Sequence, residues 1–179
     1  MTPNQVILVD ENDNPIGVME KMEAHQKALL HRAISVFVFN SKGEWLLHQR
    51  ALQKYHSKGL WTNCSCSHPF PNELSIDAAN RRLKEEMGLQ TELMEVFSFT
   101  YKQELENHLT EHEYDHVFVG ITDELPTPNS DEVASYKYVD YHTMQLDIHA
   151  NPANYTAWFK LIYDKVNFEK IQNVIATKM

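Results

Sequence analysis

Five residues of metal-binding type are spread along the first two thirds of the chain: His25, His31, His68, Glu111 and Glu113. Glu111 and Glu113 stand two apart at the start of an extended apolar run, so both point to one side of a strand. Neighbouring carboxylates on one side repel, and a bound cation relieves them. Imidazole nitrogen and carboxylate oxygen suit zinc, manganese or magnesium, and three histidines with two carboxylates leave room for a sixth ligand. Taken singly, each of these residues says little. In a chain with 10 histidines, any one of them is more often a surface or satisfied core residue.

A second group is sulfur-bearing. Within Trp61-Thr62-Asn63-Cys64-Ser65-Cys66-Ser67-His68-Pro69, an extended backbone places Cys64, Cys66 and His68 on a common face, with a thiol beside a potential metal ligand. A thiol there could serve as nucleophile, acid or base. The plainer reading makes both cysteines small buried apolar residues. A zinc site from Cys64, Cys66 and His68 is a third reading, but it lacks the usual second pair of ligands. Cysteines separated by one residue are also poorly placed to bond to each other, so both are expected as thiols in a reducing compartment.

The third group is cationic: Lys21, Arg50, Lys54, Lys58 and Arg82. Arg50 and Lys54 directly follow an expected strand, where a guanidinium fork and a compact ammonium could clamp a diphosphate. Surface lysines need no such explanation, and any one of these groups could be incidental.

The elements that must carry these groups are readable in outline. Residues 6–9 form a short apolar run before a polar turn at residues 11–15, and residues 33–39 and 45–49 read as a hairpin about the turn at residues 41–44. Residues 74–87 place Ile76, Ala79, Leu83 and Met87 at helical spacing, with Ser75 as N-cap and Gly88 as terminator. Residues 96–101, 114–121 and 136–139 read as strands, and residues 126–129 as a loop. Asn151-Pro152 supplies an N-cap and first-turn proline for a helix through Trp158 to about Lys165; residues 168–179 read as helical, with no functional reading.

Strands and helices thus alternate in an α/β (α+β) chain without repeats or a linker, and 179 residues with 42% hydrophobic composition suit one domain over residues 1–179. The net charge of −9 argues against nucleic acid or an anionic membrane as partner, so a phosphorylated small molecule must be held by local cations or metal. No apolar window approaches the roughly 18 to 20 residues of a membrane span, and residues 1–10 lack a signal peptide's basic and apolar regions. A cytoplasmic protein is expected, as a monomer or weak homodimer.

The segment from Glu73 through Arg81-Arg82-Leu83-Lys84-Glu85-Glu86-Met87-Gly88-Leu89 resembles the Nudix signature, in which a loop, a carboxylate-rich helix and a terminating glycine hold magnesium against a diphosphate. Two positions depart from it: Ser67 stands at the opening glycine, and Arg82 replaces a glutamate that gathers metal in hydrolases. A plainer reading of residues 81–86 is a solvated helical face of paired charges. Glu20-Lys21 with Ala24-His25, Arg50-Ala51-Leu52, Trp61-Thr62-Asn63 through His68-Pro69, Arg81-Arg82, Glu111-x-Glu113 and Trp158 together resemble type I isopentenyl diphosphate isomerase, from about residue 4 to about residue 165.

That resemblance implies a Nudix-like mixed β-sheet sandwich flanked by helices, acting on a small-molecule diphosphate. It implies one divalent ion, zinc, manganese or magnesium, on His25, His31, His68, Glu111 and Glu113, and a magnesium ion arriving with the diphosphate at Glu86. By the same matching, Cys66 rather than Cys64 is the catalytic thiol. Glu113 is its acid-base partner, Tyr101 a supporting hydroxyl and Trp158 an aromatic wall. Lys21, Arg50, Lys54 and Arg82 fall at diphosphate-binding positions, whereas Lys58 is left outside the site.

The implied reaction moves an alkene through a cation-like state, which an apolar pocket and the Trp158 π-face would shelter. Because an unperturbed thiol is a poor acid toward an alkene, Glu113 is the expected proton donor and Cys66 the acceptor. The competing readings are a Nudix hydrolase of a nucleoside diphosphate derivative and a metal-dependent binding module without turnover.

Overall fold

The computed structural model describes residues 4–54 and 56–166. The helical reading of residues 168–179 falls outside them. Nine strands join in one mixed sheet: β1 (Gln5–Val9), β2 (Pro15–Glu20), β3 (His31–Phe39), β4 (Trp45–Arg50), β5 (Trp61–Thr62), β6 (Ser65–Ser67), β7 (Leu93–Glu104), β8 (Thr110–Ile121) and β9 (Val133–Val139). Among the described residues four α-helices accompany them: α1 (Lys21–Gln26), α2 (Ser75–Met87), α3 (Tyr141–Ala150) and α4 (Ala157–Ile162).

Strand β3 organises the sheet. Along one edge it pairs in parallel with β8, from His31 opposite Glu113 to Phe39 opposite Ile121. Along the other it changes partner, meeting β1 at His31, β6 over Ile34 to Val36 and β4 only at Val38 and Phe39. The expected hairpin is therefore real but short, and β4 takes most of its pairing from β9 and β5.

Alternation along β3 feeds two cores. Ile34, Val36 and Val38 face α2, packing with Ala78, Ala79, Leu83 and Met87. Phe37 and Phe39 face the opposite way, into a core with Val117 and Val119 of β8, Met144 and Ile148 of α3, and Trp158 and Phe159 of α4. A sheet covered by helices on both faces is what the resemblance implied.

Local differences from the sequence reading have identifiable causes. The N-cap position of α2 is Leu74, which makes no side-chain cap bond, and Ser75 is the first helical residue. Gly88 does end the helix, at φ 66°, where a Cβ would lie 2.1 Å from Thr127 Oγ1. Asn151-Pro152 opens only a 3-10 turn (Pro152–Asn154). Tyr155 is extended and bridges to Trp61 at the sheet edge, so α4 starts afresh after Thr156 and ends at Ile162. Strand β2 and helices α1 and α3 were not read from the sequence. Helix α3 carries an Asp140 cap on the Thr143 N–H, at 2.9 Å, that could have revealed it.

Candidate active site

The polar ends of two strands build the site. On β3 the face that carries Phe37 and Phe39 continues backwards through Ser35 and Ala33 to His31; on β8 the face that carries Val117 and Val119 continues backwards through Asp115 and Glu113 to Glu111. Parallel register lays these polar ends side by side, with His31 opposite Glu113 and Ser35 opposite Val117. Helix α1 brings His25 and the chain after β6 brings His68, so the nearest ligand atoms of His25, His31, His68 and Glu113 all lie within 4.8 Å of one another.

Hydrogen bonding aims these groups. His25 Nδ1 donates to the Lys21 carbonyl at 2.7 Å and His31 Nδ1 to the Leu29 carbonyl at 2.8 Å. A carbonyl can only accept, so each ring carries its proton on Nδ1 and turns the Nε2 lone pair inward. Nε2 of His31 lies 3.2 Å from Nε2 of His68 and 3.6 Å from Glu113 Oε1, with His68 Nε2 3.1 Å from the same oxygen. Inward lone pairs around a carboxylate oxygen fit a divalent cation. Glu111 stands apart from this foursome; its Oε2 accepts from the Tyr101 hydroxyl at 3.2 Å.

Burial sets the charges. It lowers the His68 pKa to about 3 against the opposing pull of Glu113, and it lowers His25 as well. Burial alone would raise Glu113, yet the imidazoles of His31 and His68 beside it hold it well below the usual carboxylate range. Glu111 is pushed up by burial and by the charge of Glu113.

Cys66 is raised by burial and then by Asp115, which makes it a neutral thiol at rest. Its sulfur donates to Asn63 Oδ1 at 3.1 Å, and Ser35 Oγ lies 3.4 Å away. The expectation that Cys64 shares this face is incorrect. Cys64 is fully buried among the α2-side residues, and its thiol donates to the Leu46 carbonyl at 3.2 Å. Its own amide bonds to Val36, and regular strand begins only at Ser65, so simple alternation does not extend back to it. Both thiols are free.

Opposite the histidines, cations converge on the same pocket. Lys21 begins α1, Arg50 ends β4, Lys54 follows it and Arg82 lies on the inner face of α2. Lys58 is exposed and outside the pocket. Arg81 turns away, forming a two-pronged pair with Glu73 at 2.7 and 2.8 Å. Arg82 instead bonds the buried Glu86 at 2.8 Å. Trp158, 3% exposed, closes one wall, with the Arg50 guanidinium 5.2 Å from its ring centre.

Three pocket residues, and Asp115 behind them, escaped the sequence reading. His56 meets Trp158 edge-on at 5.8 Å and is lowered to about 3 by burial and by Arg50, with nothing in its local pattern to mark it. Ser35 donates to Asp115 Oδ2 at 2.7 Å beneath the Cys66 sulfur. Asp115 continues the two-residue spacing of Glu111 and Glu113, a signal that could have found it. Glu132 joins the cations from the loop before β9.

Known proteins resemble this chain over most of its length. The NUDIX domain family model matches residues 29–159. An isopentenyl-diphosphate Delta-isomerase from Pectobacterium atrosepticum is 51% identical over 166 residues, covering 93% of each chain. Isopentenyl-diphosphate Delta-isomerase 2 of Aromatoleum aromaticum is 51% identical over 163 residues, 91% of this chain and 86% of its own length. This chain belongs to the isopentenyl-diphosphate Delta-isomerase family.

The fold is shared with solved structures of low sequence identity. The crystal structure of DR0079 from Deinococcus radiodurans superposes with a TM-score of 0.72 at 17% identity, covering 88% of this chain and 96% of that one. A MutT protein from Methanosarcina mazei gives 0.62 at 18% identity, covering 80% and 95%. These likenesses concern the fold. The isomerase-family chain differs from the hydrolase signature at Arg82, whose guanidinium occupies the space beside Glu86.

Proposed function

We propose that this chain interconverts isopentenyl diphosphate and dimethylallyl diphosphate by proton transfer, using Cys66 and Glu113 as the exchanging groups. The observation that carries the reading is the sharing of one Trp158-walled pocket by a thiol, a carboxylate and a bank of cations. The identity to isomerases of this family over nine tenths of the chain supports it. All of the groups named come from one chain, so the reading needs no second copy, and free thiols in an acidic protein suit a cytoplasmic location.

Lys21, Arg50, Lys54 and Arg82 bind the diphosphate, leaving the hydrocarbon end to reach toward Trp158, Cys66 and Glu113. A proton added to the terminal methylene carbon leaves positive charge on the branched carbon. Loss of a proton from the carbon on its other side then forms the new double bond, with atoms and charge balanced. Trp158 offers its π-face to the intermediate charge, worth about 1 to 2 kcal/mol when desolvated, and excludes water that would trap it.

His25, His31, His68 and Glu113, with Glu111 beside them, would hold one divalent ion, zinc, manganese or magnesium; Glu86 would meet a magnesium ion accompanying the diphosphate. An ion at Glu113 Oε1 would lower that carboxyl group's proton affinity and so strengthen its acid form. The other oxygen, Oε2, accepts from the Tyr101 hydroxyl at 2.7 Å and would carry the exchanged proton. At rest sulfur is protonated and Glu113 ionised, the reverse of what donation by Glu113 requires. Turnover in this direction starts from a protonated Glu113 and a Cys66 thiolate, and the roles exchange in the reverse direction.

The test is NMR of isopentenyl diphosphate in D2O with purified protein, magnesium and trace zinc or manganese. Deuterated methyl groups on dimethylallyl diphosphate, without phosphate release and lost after chelation, are the expected result. Released phosphate or an unchanged substrate under every metal condition would sink the proposal.

A further inference from the structure

Lys54 and Arg82 belong to elements far apart in sequence, a loop after β4 and the helix α2, yet both reach the same carboxylate. Glu132 takes the Lys54 ammonium on Oε2, and its Oε1 lies 3.4 Å from Arg82 Nη2. The turn that carries Glu132 is stitched to both elements. Its own carbonyl accepts from the Ala51 N–H at 2.9 Å, and Gln53 Nε2 donates to Ser130 at 3.2 Å, fixing the Lys54 loop. On the other side, the Asn129 N–H donates to the Glu86 carbonyl at 2.9 Å, and Thr127 N–H to that of Met87, fixing the last turn of α2.

An anion in a pocket meant for a dianion is costly on charge alone, because it repels the ligand and neutralises its receptors. A lysine side chain on a loop, on the other hand, has four rotatable carbons to order, and two neighbouring cations drive each other apart. A carboxylate that offers one oxygen to each cation counters both effects, and spaces them as two oxygens of a phosphate group would.

We propose that Glu132 is a positioning residue for diphosphate binding: it bridges Lys54 and Arg82 and sets the pair in place before the ligand arrives. The inference rests on the reading of Lys54 and Arg82 as diphosphate-binding groups. Its gain lies in preorganisation, which affects ground state and transition state alike and therefore falls on KM rather than kcat.

Glu132→Gln keeps the shape and removes the bridge. The KM for isopentenyl diphosphate and the inhibition constant of inorganic diphosphate with magnesium should rise together by about tenfold, with kcat within about twofold. Glu132→Asp should recover part of the loss, and in a Lys54→Ala background Glu132→Gln should add less than about threefold. A carboxylate acting only as a competing anion predicts the opposite, tighter diphosphate binding in Glu132→Gln, and that result overturns the proposal. So does a fall in kcat at constant KM, the mark of a smaller folded fraction. If Lys54→Ala and Arg82→Ala both leave the diphosphate inhibition constant unchanged, the clamp assignment itself is at fault and the role of Glu132 goes with it.

Discussion

Tyr101 and Glu113 face each other across the β7–β8 ladder, and the Tyr101 hydroxyl donates to Glu113 Oε2 at 2.7 Å. The other oxygen of Glu113 faces His25, His31 and His68 at 3.9, 3.6 and 3.1 Å. One carboxylate thus divides its oxygens between a cluster of three imidazoles and a phenol.

Tyr101→Phe removes the donor to Oε2 and leaves Oε1 untouched. The variant should retain its divalent metal, measured by elemental analysis, while kcat falls about 10- to 100-fold. Loss of metal together with activity would show that the phenol serves the metal-ligand set instead.

The two cysteines should separate cleanly. Cys66→Ala should lower turnover by about a thousandfold or more with the fold intact, because it removes one of two proton-exchanging groups. Cys64→Ala should keep kcat within about threefold but lose about 1 kcal/mol in urea unfolding, since a fully buried side chain leaves a small cavity under α2. Equal loss of turnover from both would undo the assignment of Cys66.

Acid should destabilise the protein early. Burial lowers His48 and His56 to about 3, and neither belongs to the metal-ligand set. Unfolding frees both to take a proton near pH 6.5, so their contribution is fully present above pH 6.5 and is lost as pH falls toward 3. Each costs about 1.4 kcal/mol per pH unit across that window. His48→Asn, which keeps a donor for the Cys64 carbonyl, should reduce the slope of unfolding free energy against pH by about one proton. An unchanged slope would mean that His48 is protonated in the native state.

Much of this was legible in the chain itself. The strand-forming runs of β3 and β8, the helix ending at Gly88 and the two-residue spacing of Glu111 and Glu113 are local patterns, and local patterns survive in sequence. The break before Tyr155 was not legible, because Asn151-Pro152 is a sound helix start and only the bridge to Trp61 interrupts it. Cys64 was misplaced for a related reason: strict alternation holds within a strand, and β6 is too short to include it.

Residue types and spacings determined the kinds of chemistry available here: imidazole, carboxylate, thiol and cation. Tertiary structure decided which of them meet. The parallel register of β3 on β8 sets His31 beside Glu113, antiparallel β7 brings Tyr101 to its other oxygen, and pairing of β9 with β4 delivers Glu132 to Lys54. Strand pairing joins residues by backbone hydrogen bonds that every side chain shares, so the sequence marks where a strand runs but only weakly which register it will take. Burial, which follows from that register, then fixes the charges that make the pocket reactive.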